Sequence, residues 1–170
     1  MIDSRRAAWL AAGAAVLIVL VVGLAVRVSS DGSGSSAKAV LANVAPARAP
    51  FDGLTAGTIV VGGKQLRVVV ADDEDERVQG LRGKVDAAPY DGMLFVFPSE
   101  GVVSFTMATV PDALEIAFFD DAGRVVDRMH MKPCPNGTDA TCPTYTPKGP
   151  FKYALESGDG VVHNGRLTVP

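Results

Sequence analysis

Hydrophobic and polar residues occur in blocks along this chain, and the first hydrophobic block is the longest. Residues 7–26 contain no charged side chain, which is long enough for a helix to cross a hydrocarbon core of roughly 30 Å. Arg5 and Arg6 come just before this run, and positive charge favours the cytoplasmic side of a membrane. The pattern predicts a cytoplasmic segment over residues 1–6, a transmembrane anchor over 7–26 and an extracytoplasmic remainder.

A cleaved secretory signal is the alternative to this anchor. Such signals have apolar cores of roughly 7 to 15 residues, with a small-x-small cleavage site close behind. Here the run is longer, and the small-x-small sequence Ala37-Lys38-Ala39 lies well beyond it. The length favours an uncleaved, single-pass anchor in the cell membrane, and both interpretations export the rest of the chain.

Residues 27–50 change from a Gly and Ser composition to an Ala and Pro composition, with few large apolar side chains. A segment of this kind buries too little surface to offset the entropy of ordering it. It is predicted to be a flexible linker with a reach of about 25 to 30 Å. Such a linker holds the following domain close to the membrane.

From residue 51 to residue 170 the apolar segments become short. Gly62-Gly63 separates two of them and suits a tight hairpin, because both positions tolerate positive φ. A second hairpin is predicted at 120–123, and 73–81 is the one helix candidate, with an aspartate cap. Strands are predicted at 58–61, 65–70, 93–97, 114–119, 124–131, 151–156 and 166–169. This order predicts a mainly β domain, an antiparallel sandwich or barrel-like fold with one short helix.

The net charge of this domain limits the classes of partner that it can bind. Residues 51–170 hold 11 Lys and Arg against 17 Asp and Glu, a net charge of 11 − 17 = −6. Nucleic-acid binding depends on basic side chains that displace counterions, so nucleic acid is not an expected partner. The expected partners are the membrane, through residues 7–26, and an unidentified small molecule or envelope protein.

Cys134 and Cys142 are the only cysteines. They lie in an exported loop rich in Pro, Asn, Gly and Thr, which predicts a disulfide. A redox-active pair is typically Cys-x-x-Cys, and the longer spacing here disfavours that role.

Two sets of residues are candidate metal ligands, and each has a simpler explanation. Met129, His130 and Met131 lie on one predicted strand, and thioether sulfur suits copper(I). Packing of both methionines in the core explains the same pattern more simply. A zinc set of His130, Cys134, Cys142 and His163 lacks the close ligand pairs of zinc sites. No metal or other cofactor is expected.

Polar residues with the potential for catalysis are sparse. Glu115 lies between Leu114 and Ile116, and a carboxyl group in apolar surroundings can act as an acid or base. A carboxylate at the sheet rim, or one paired with an arginine such as Arg77 or Arg128, is the commoner arrangement. No residue is predicted to be catalytic, and the candidate ligand-binding residues are Arg77, Thr109, Glu115 and Tyr145.

Four short sequence words occur in a fixed order: Glu-Arg-Val-Gln-Gly-Leu at 76–81, Gly-Met-Leu-Phe-Val-Phe at 92–97, Pro133-Cys134, and Cys-Pro-Thr-Tyr at 142–145. Together they resemble the bacterial and archaeal family called domain of unknown function 192, over about residues 68–160. The pair Leu155-Glu156, followed by glycines, resembles the C-terminal pattern of the same family. The resemblance implies a fold and brings no activity with it.

The resemblance weakens at residues 105–110. Family members carry Phe-Trp-Met-Lys-Asn-Thr there, whereas this chain has Thr106 for the tryptophan, Ala108 for the lysine, Thr109 for the asparagine and Val110 for the threonine. The sequence thus favours a membrane-tethered, extracytoplasmic, non-catalytic binding or accessory module. The alternatives are an enzyme that uses Glu115 as acid or base, and a copper module that uses Met129 and Met131.

Overall fold

The structure, a computed structural model, describes residues 41–161 and 165–168. The predicted cytoplasmic segment, the transmembrane anchor, the first part of the linker and His163 lie outside the described residues. Among the residues that are described, no helix has the length and hydrophobicity needed to cross a bilayer.

Ten strands and one helix make up the described domain. The helix is α1 (Glu74–Gln79). The strands are β1 (Ala42–Pro46), β2 (Thr55–Val61), β3 (Lys64–Ala71), β4 (Gly92–Gly101), β5 (Phe105–Thr106), β6 (Leu114–Phe119), β7 (Val125–Met131), β8 (Thr144–Tyr145), β9 (Phe151–Ser157) and β10 (Leu167–Thr168).

Eight of these strands form one sheet in the order β1-β2-β3-β4-β9-β6-β7, with β10 paired to β2. Strands β5 and β8 form a separate two-stranded sheet. The prediction of a mainly β domain with one short helix is confirmed. The expectation of a purely antiparallel, barrel-like or sandwich arrangement is wrong, because the sheet is not closed and β3 and β4 pair in parallel.

The parallel pair arises because the chain leaves β3, forms α1 and returns to start β4 at the same end of the sheet. Val68 pairs with Gly92 and Ala71 pairs with Phe95. Parallel strands require a crossover connection, usually a helix. The sequence pattern predicts this helix but not its role as a crossover, since one βαβ unit produces no repeated alternation of strands and helices.

Both faces of the large sheet are covered. Side chains along a strand alternate between the faces, and two hydrophobic clusters follow that alternation. The helix-side cluster includes Met93, Phe95 and Ile116 and extends to Leu81 after α1. The opposite cluster includes Leu94, Ala117 and Leu155. Strand β4 lies in the middle of the sheet, as its continuous apolar run predicts.

The local turn predictions agree with the structure. Gly62 and Gly63 have φ of 58° and 82° and join β2 to β3, which suits a residue without a Cβ. Asp73 caps α1: its carboxylate accepts from the Glu76 amide, and the Glu76 side chain accepts from the Asp73 amide. This reciprocal arrangement satisfies two amides that otherwise lack partners at the start of a helix.

The end of the predicted linker belongs to the folded domain. Strand β1 pairs with β2, and Leu41 is buried in the opposite cluster. Composition predicted a flexible linker up to residue 50, but the small residues of β1 gain backbone hydrogen bonds from the edge of β2. The linker prediction therefore needs correction over residues 41–50.

Candidate functional site

A cavity of about 570 Å³ lies between α1, the helix-side face of the sheet and the two-stranded β5–β8 sheet. We call it the α1 pocket. It is lined by Glu74 and residues 77–82 from α1 and the following turn, by Phe95, Phe97 and Pro98 from β4, by residues 103–106, by Val110 and Asp139, and by Glu156 of β9. Eight of these 17 residues come from segments that carry the sequence resemblance.

Aromatic rings form the apolar wall of the α1 pocket. The Phe95 and Phe105 ring centroids are 5.2 Å apart, and the rings are perpendicular. Phe97 meets Phe105 in a similar edge-to-face arrangement at 6.5 Å. Such contacts stabilise the rings in fixed positions. The wall is therefore a rigid aromatic surface.

Arg77 fixes α1 to the sheet at one side of this pocket. Its Nη1 donates to the backbone oxygens of Asp72, at 2.6 Å, and Val96, at 2.9 Å. Its guanidinium also lies over the Phe97 ring, 5.2 Å from the centroid. A cation over an aromatic face adds a favourable electrostatic contact. Arg77 thus has a structural role and lines the pocket as well.

The mouth of the pocket holds an ion pair. Arg82 Nη2 lies 2.6 Å from Asp139 Oδ1, and the Thr106 hydroxyl donates to the same oxygen at 3.2 Å. The hydrogen bond from Arg82 lowers the pKa of Asp139. Asp139 lies in the loop closed by the disulfide between Cys134 and Cys142, and that predicted disulfide is confirmed.

Glu156 is the unusual residue of the α1 pocket. It lies on β9, paired with Met93 on one side and Ile116 on the other, and only 5 % of its surface is exposed. Its carboxyl group forms no hydrogen bond or ion pair within the described part of the chain. Buried polar groups normally have partners, so this carboxyl group calls for an explanation.

The environment of Glu156 keeps the carboxyl group neutral. Burial among apolar side chains raises its pKa from 4.5 to about 8, and the positive charge of Arg82 offsets only part of that effect. Transfer of a carboxylate into apolar surroundings is unfavourable, so the group takes up a proton instead. At neutral pH, the pocket therefore contains a carboxylic acid with one donor and free acceptor capacity.

The four predicted ligand-binding residues do not converge. Arg77 lines the α1 pocket, whereas Glu115 lines a separate groove of about 210 Å³ with Arg128 and His130. Glu115 pairs with Ser157, and Ile116 pairs with Glu156. Because neighbouring residues of a strand point to opposite faces, Glu115 faces away from the α1 pocket. The expected contact between Arg77 and Glu115 is not formed.

Thr109 and Tyr145 have structural contacts near the disulfide loop. Thr109 is exposed with φ of 61°; its amide donates to the Cys134 oxygen and its oxygen accepts from the Gly83 amide. The Tyr145 hydroxyl accepts from the Lys132 amide at 2.8 Å. Neither residue lines the α1 pocket.

The candidate copper ligands are also separated. Met131 is fully buried in the helix-side cluster, and Met129 packs against that cluster. His130 pairs with Glu115 on the other face of the sheet. Its Nδ1 lies 3.6 Å from Asp159 Oδ1. Half-buried Glu115, exposed His130 and exposed Asp159 form a group with ligand atoms within 4.8 Å of one another. The two methionines and His130 therefore do not form one site.

Glu156 is not among the ligand-binding residues that the sequence predicts. The sequence does contain an indication of its importance, since Glu156 ends the apolar run of β9 and belongs to the family-like pair Leu155-Glu156. A glutamate at the end of a strand is usually exposed. Only the pairing of β9 between β4 and β6 shows that the residue is covered on both sides.

Comparisons with known proteins agree with this fold. A search of curated proteins gave no match. A crystal structure from Sinorhizobium meliloti 1021, described as a candidate transcription regulator, is 25% identical with a TM-score of 0.54 and covers 65% of this chain and 89% of its own. A protein of unknown function from Novosphingobium aromaticivorans DSM 12444 is 21% identical with a TM-score of 0.62, covering 78% and 96%. The family model described as Uncharacterized ACR matches residues 57–169, and the chain therefore belongs to that family, DUF192.

Proposed function

We propose that this protein is a membrane-tethered, extracytoplasmic module that binds a small molecule in the α1 pocket without transforming it. The single observation that carries the proposal is the Glu156 carboxyl group, which is buried at the pocket wall and has no partner in the described residues. A ligand that pairs with this group compensates for a contact that the folded chain leaves open.

The shape and lining of the pocket support this function. Small-molecule sites are typically concave cavities of roughly 300 to 1,000 Å³ with apolar and aromatic walls and a few placed polar groups. The α1 pocket has that size, an aromatic wall and one buried polar group without a partner in the described residues. Apart from the exposed carboxylate of Glu74, its other polar side chains are engaged: Arg82 and Thr106 with Asp139, Gln79 with the Arg82 oxygen, Arg77 with two backbone oxygens, and Ser104 with Thr146.

The tether is supported by the sequence alone. Residues 7–26 have the length and hydrophobicity of a transmembrane helix, and Arg5 and Arg6 precede them. With the N-terminus in the cytoplasm, the domain is extracytoplasmic, which suits a disulfide. The proposed ligand is therefore a molecule of the cell envelope or its surroundings.

The proposal is tested with the full chain in detergent micelles and a panel of aromatic fragments, read by saturation-transfer NMR. Thr106→Trp fills the mouth of the pocket with a side chain of the type that related sequences carry there. Val85→Trp is the control, because Val85 is 59% exposed and lies outside the pocket. Fragment binding that is lost in Thr106→Trp and kept in Val85→Trp supports the site. Equal binding by both variants, or none by the wild type, refutes it.

A second candidate is acid catalysis by Glu156. The observation in its favour is the raised pKa of a carboxyl group that faces a cavity, a common property of general acids. Glu156→Gln keeps the shape and a donor beside an acceptor but cannot deliver a proton. A compound that is consumed by the wild type and only bound by Glu156→Gln would identify the protein as an enzyme.

A further inference from the structure

We infer that the α1 pocket selects uncharged ligands that present a hydrogen-bond donor beside an acceptor, as a carboxamide or lactam does, and that Glu156 pairs with this edge. The inference rests on the proposed function and names the class of ligand. It is carried by the charge balance of the pocket, the apolar wall and the geometry of the open carboxyl group.

The net charge of the other ionisable side chains that line the pocket is zero, so Glu156 is not needed to balance it. The α1 segment contributes Glu74 and Arg77, the following turn contributes Arg82, and the disulfide loop contributes Asp139. Two acids and two arginines add up to zero. Arg82 is ion-paired with Asp139, and Arg77 donates to two backbone oxygens. A charged ligand would bring a net charge into a cavity with no excess of the opposite sign.

The apolar wall makes such a charge unfavourable. Phe95, Phe97 and Phe105 line the same pocket as Glu156, and desolvation of an ion without a partner is strongly unfavourable. The same surface suits a planar ring, because aromatic side chains attract one another in edge-to-face and offset arrangements. The body of the ligand is therefore expected to be an uncharged ring.

The open carboxyl group defines the polar edge of the ligand. A protonated carboxyl group offers one O–H donor beside one carbonyl acceptor. A primary amide offers an acceptor beside an N–H donor, so the two groups can form parallel hydrogen bonds. The low polarity that keeps Glu156 protonated also strengthens such bonds. An ammonium ligand would instead require the carboxylate form of Glu156.

Three probes with the same ring system test the inference: 2-naphthamide, 2-naphthoate and 2-naphthylmethylammonium. Their dissociation constants are measured with the full chain in detergent micelles at about pH 6.5, where Glu156 is protonated. We expect 2-naphthamide to bind about tenfold more tightly than either charged probe, because only the amide offers both a donor and an acceptor to protonated Glu156 and brings no charge into the pocket.

Two substitutions of Glu156 separate its possible roles. Glu156→Gln keeps a donor beside an acceptor, so the affinity for 2-naphthamide should change by less than about threefold. Glu156→Leu removes both and should weaken the affinity about tenfold. Raising the pH to about 9.5 should weaken binding by the wild type, because Glu156 ionises, and should leave Glu156→Gln unchanged.

The outcomes distinguish this inference from the function on which it rests. Tighter binding of 2-naphthoate would show an anion site that uses the arginines and would overturn the inference. Tighter binding of the ammonium probe, or loss of 2-naphthamide binding in Glu156→Gln, would show that Glu156 acts as a carboxylate and would also overturn it. Probes that bind the wild type and Thr106→Trp equally would refute the pocket itself, and with it the proposed function.

Discussion

Arg82 and Asp139 form an ion pair, with Nη2 and Oδ1 2.6 Å apart, that joins the turn after α1 to the disulfide loop. Both side chains are partly exposed, so the pair itself contributes little to the stability of the fold. The ion pair matters because it holds two segments of the chain together. It fixes one side of the mouth of the α1 pocket, and the disulfide holds the loop that supplies Asp139.

Reduction of the Cys134–Cys142 disulfide should therefore loosen the pocket mouth. Loss of a crosslink over so short a loop is expected to lower the free energy of unfolding by about 2.5 kcal/mol. Urea denaturation of the full chain with and without reductant measures the change. The Cys134→Ser/Cys142→Ser double variant is the control and should not respond to reductant. Two freely alkylated thiols in protein purified without reductant would contradict the prediction.

Gly137 should be required for this disulfide. A Cβ at position 137 would collide with the sulfur atoms of Cys134 and Cys142. Gly137→Ala is expected to prevent or displace the bond, and thiol alkylation followed by intact-mass measurement would detect the free cysteines. Gly158→Ala is a matched control, because nothing lies within 4 Å of a Cβ at that position. A fully formed disulfide in Gly137→Ala would show that the loop adapts.

Glu156 should make the protein less stable as the pH rises. Its folded-state pKa is about 8, against 4.5 for an unperturbed group, so the folded state holds a proton that the unfolded state loses. The stabilisation is complete below about pH 4.5 and disappears through about pH 8, with a slope of up to roughly 1.4 kcal/mol per pH unit. Urea denaturation at several pH values, compared between the wild type and Glu156→Gln, isolates this contribution. If the free energy of unfolding depends on pH in the same way in the two proteins, Glu156 does not contribute to the pH dependence and the prediction is refuted.

Phe95 should be essential to the core. It is 2% exposed, lies on the central strand β4 and contacts the Phe105 ring. Truncation of such a side chain leaves a cavity, so Phe95→Ala is expected to lower the free energy of unfolding by about 3 to 5 kcal/mol. Val102→Ala is the control, since Val102 is 55% exposed on the same segment of chain. Urea denaturation measures the change. If Phe95→Ala lowers the free energy of unfolding no more than Val102→Ala does, Phe95 does not belong to the core.

Arg77 should contribute more to stability than to ligand selection. Arg77→Ala removes donors to the Asp72 and Val96 oxygens and is expected to cost about 1 to 3 kcal/mol. Arg124→Ala is the control, because Arg124 forms an exposed ion pair with Asp120. The denaturation midpoint and the affinity for 2-naphthamide are measured together. An affinity that collapses while the midpoint stays fixed would make Arg77 a ligand contact first.

The sequence by itself determined the features that depend on near neighbours. The Gly62-Gly63 hairpin, the Asp73 cap of α1, the apolar run of β4 and the disulfide all follow from residues a few positions apart, whose conformational preferences are local. The hydrophobic pattern also predicted seven of the ten described strands and missed the three short ones, β1, β5 and β8. Family words at 76–81 and 92–97 located two of the segments that line the α1 pocket.

Only the tertiary structure decided which of these segments meet. The sequence did not reveal that β9 lies between β4 and β6, and this pairing buries Glu156 and turns Glu115 towards the opposite face. A single-residue change of register reverses the face of every side chain on a strand, so the choice between two glutamates depends on long-range pairing. Likewise, β1 is a strand because its backbone pairs with the edge of β2. Local composition predicted a linker there, since it contains no information about the distant strand that orders it.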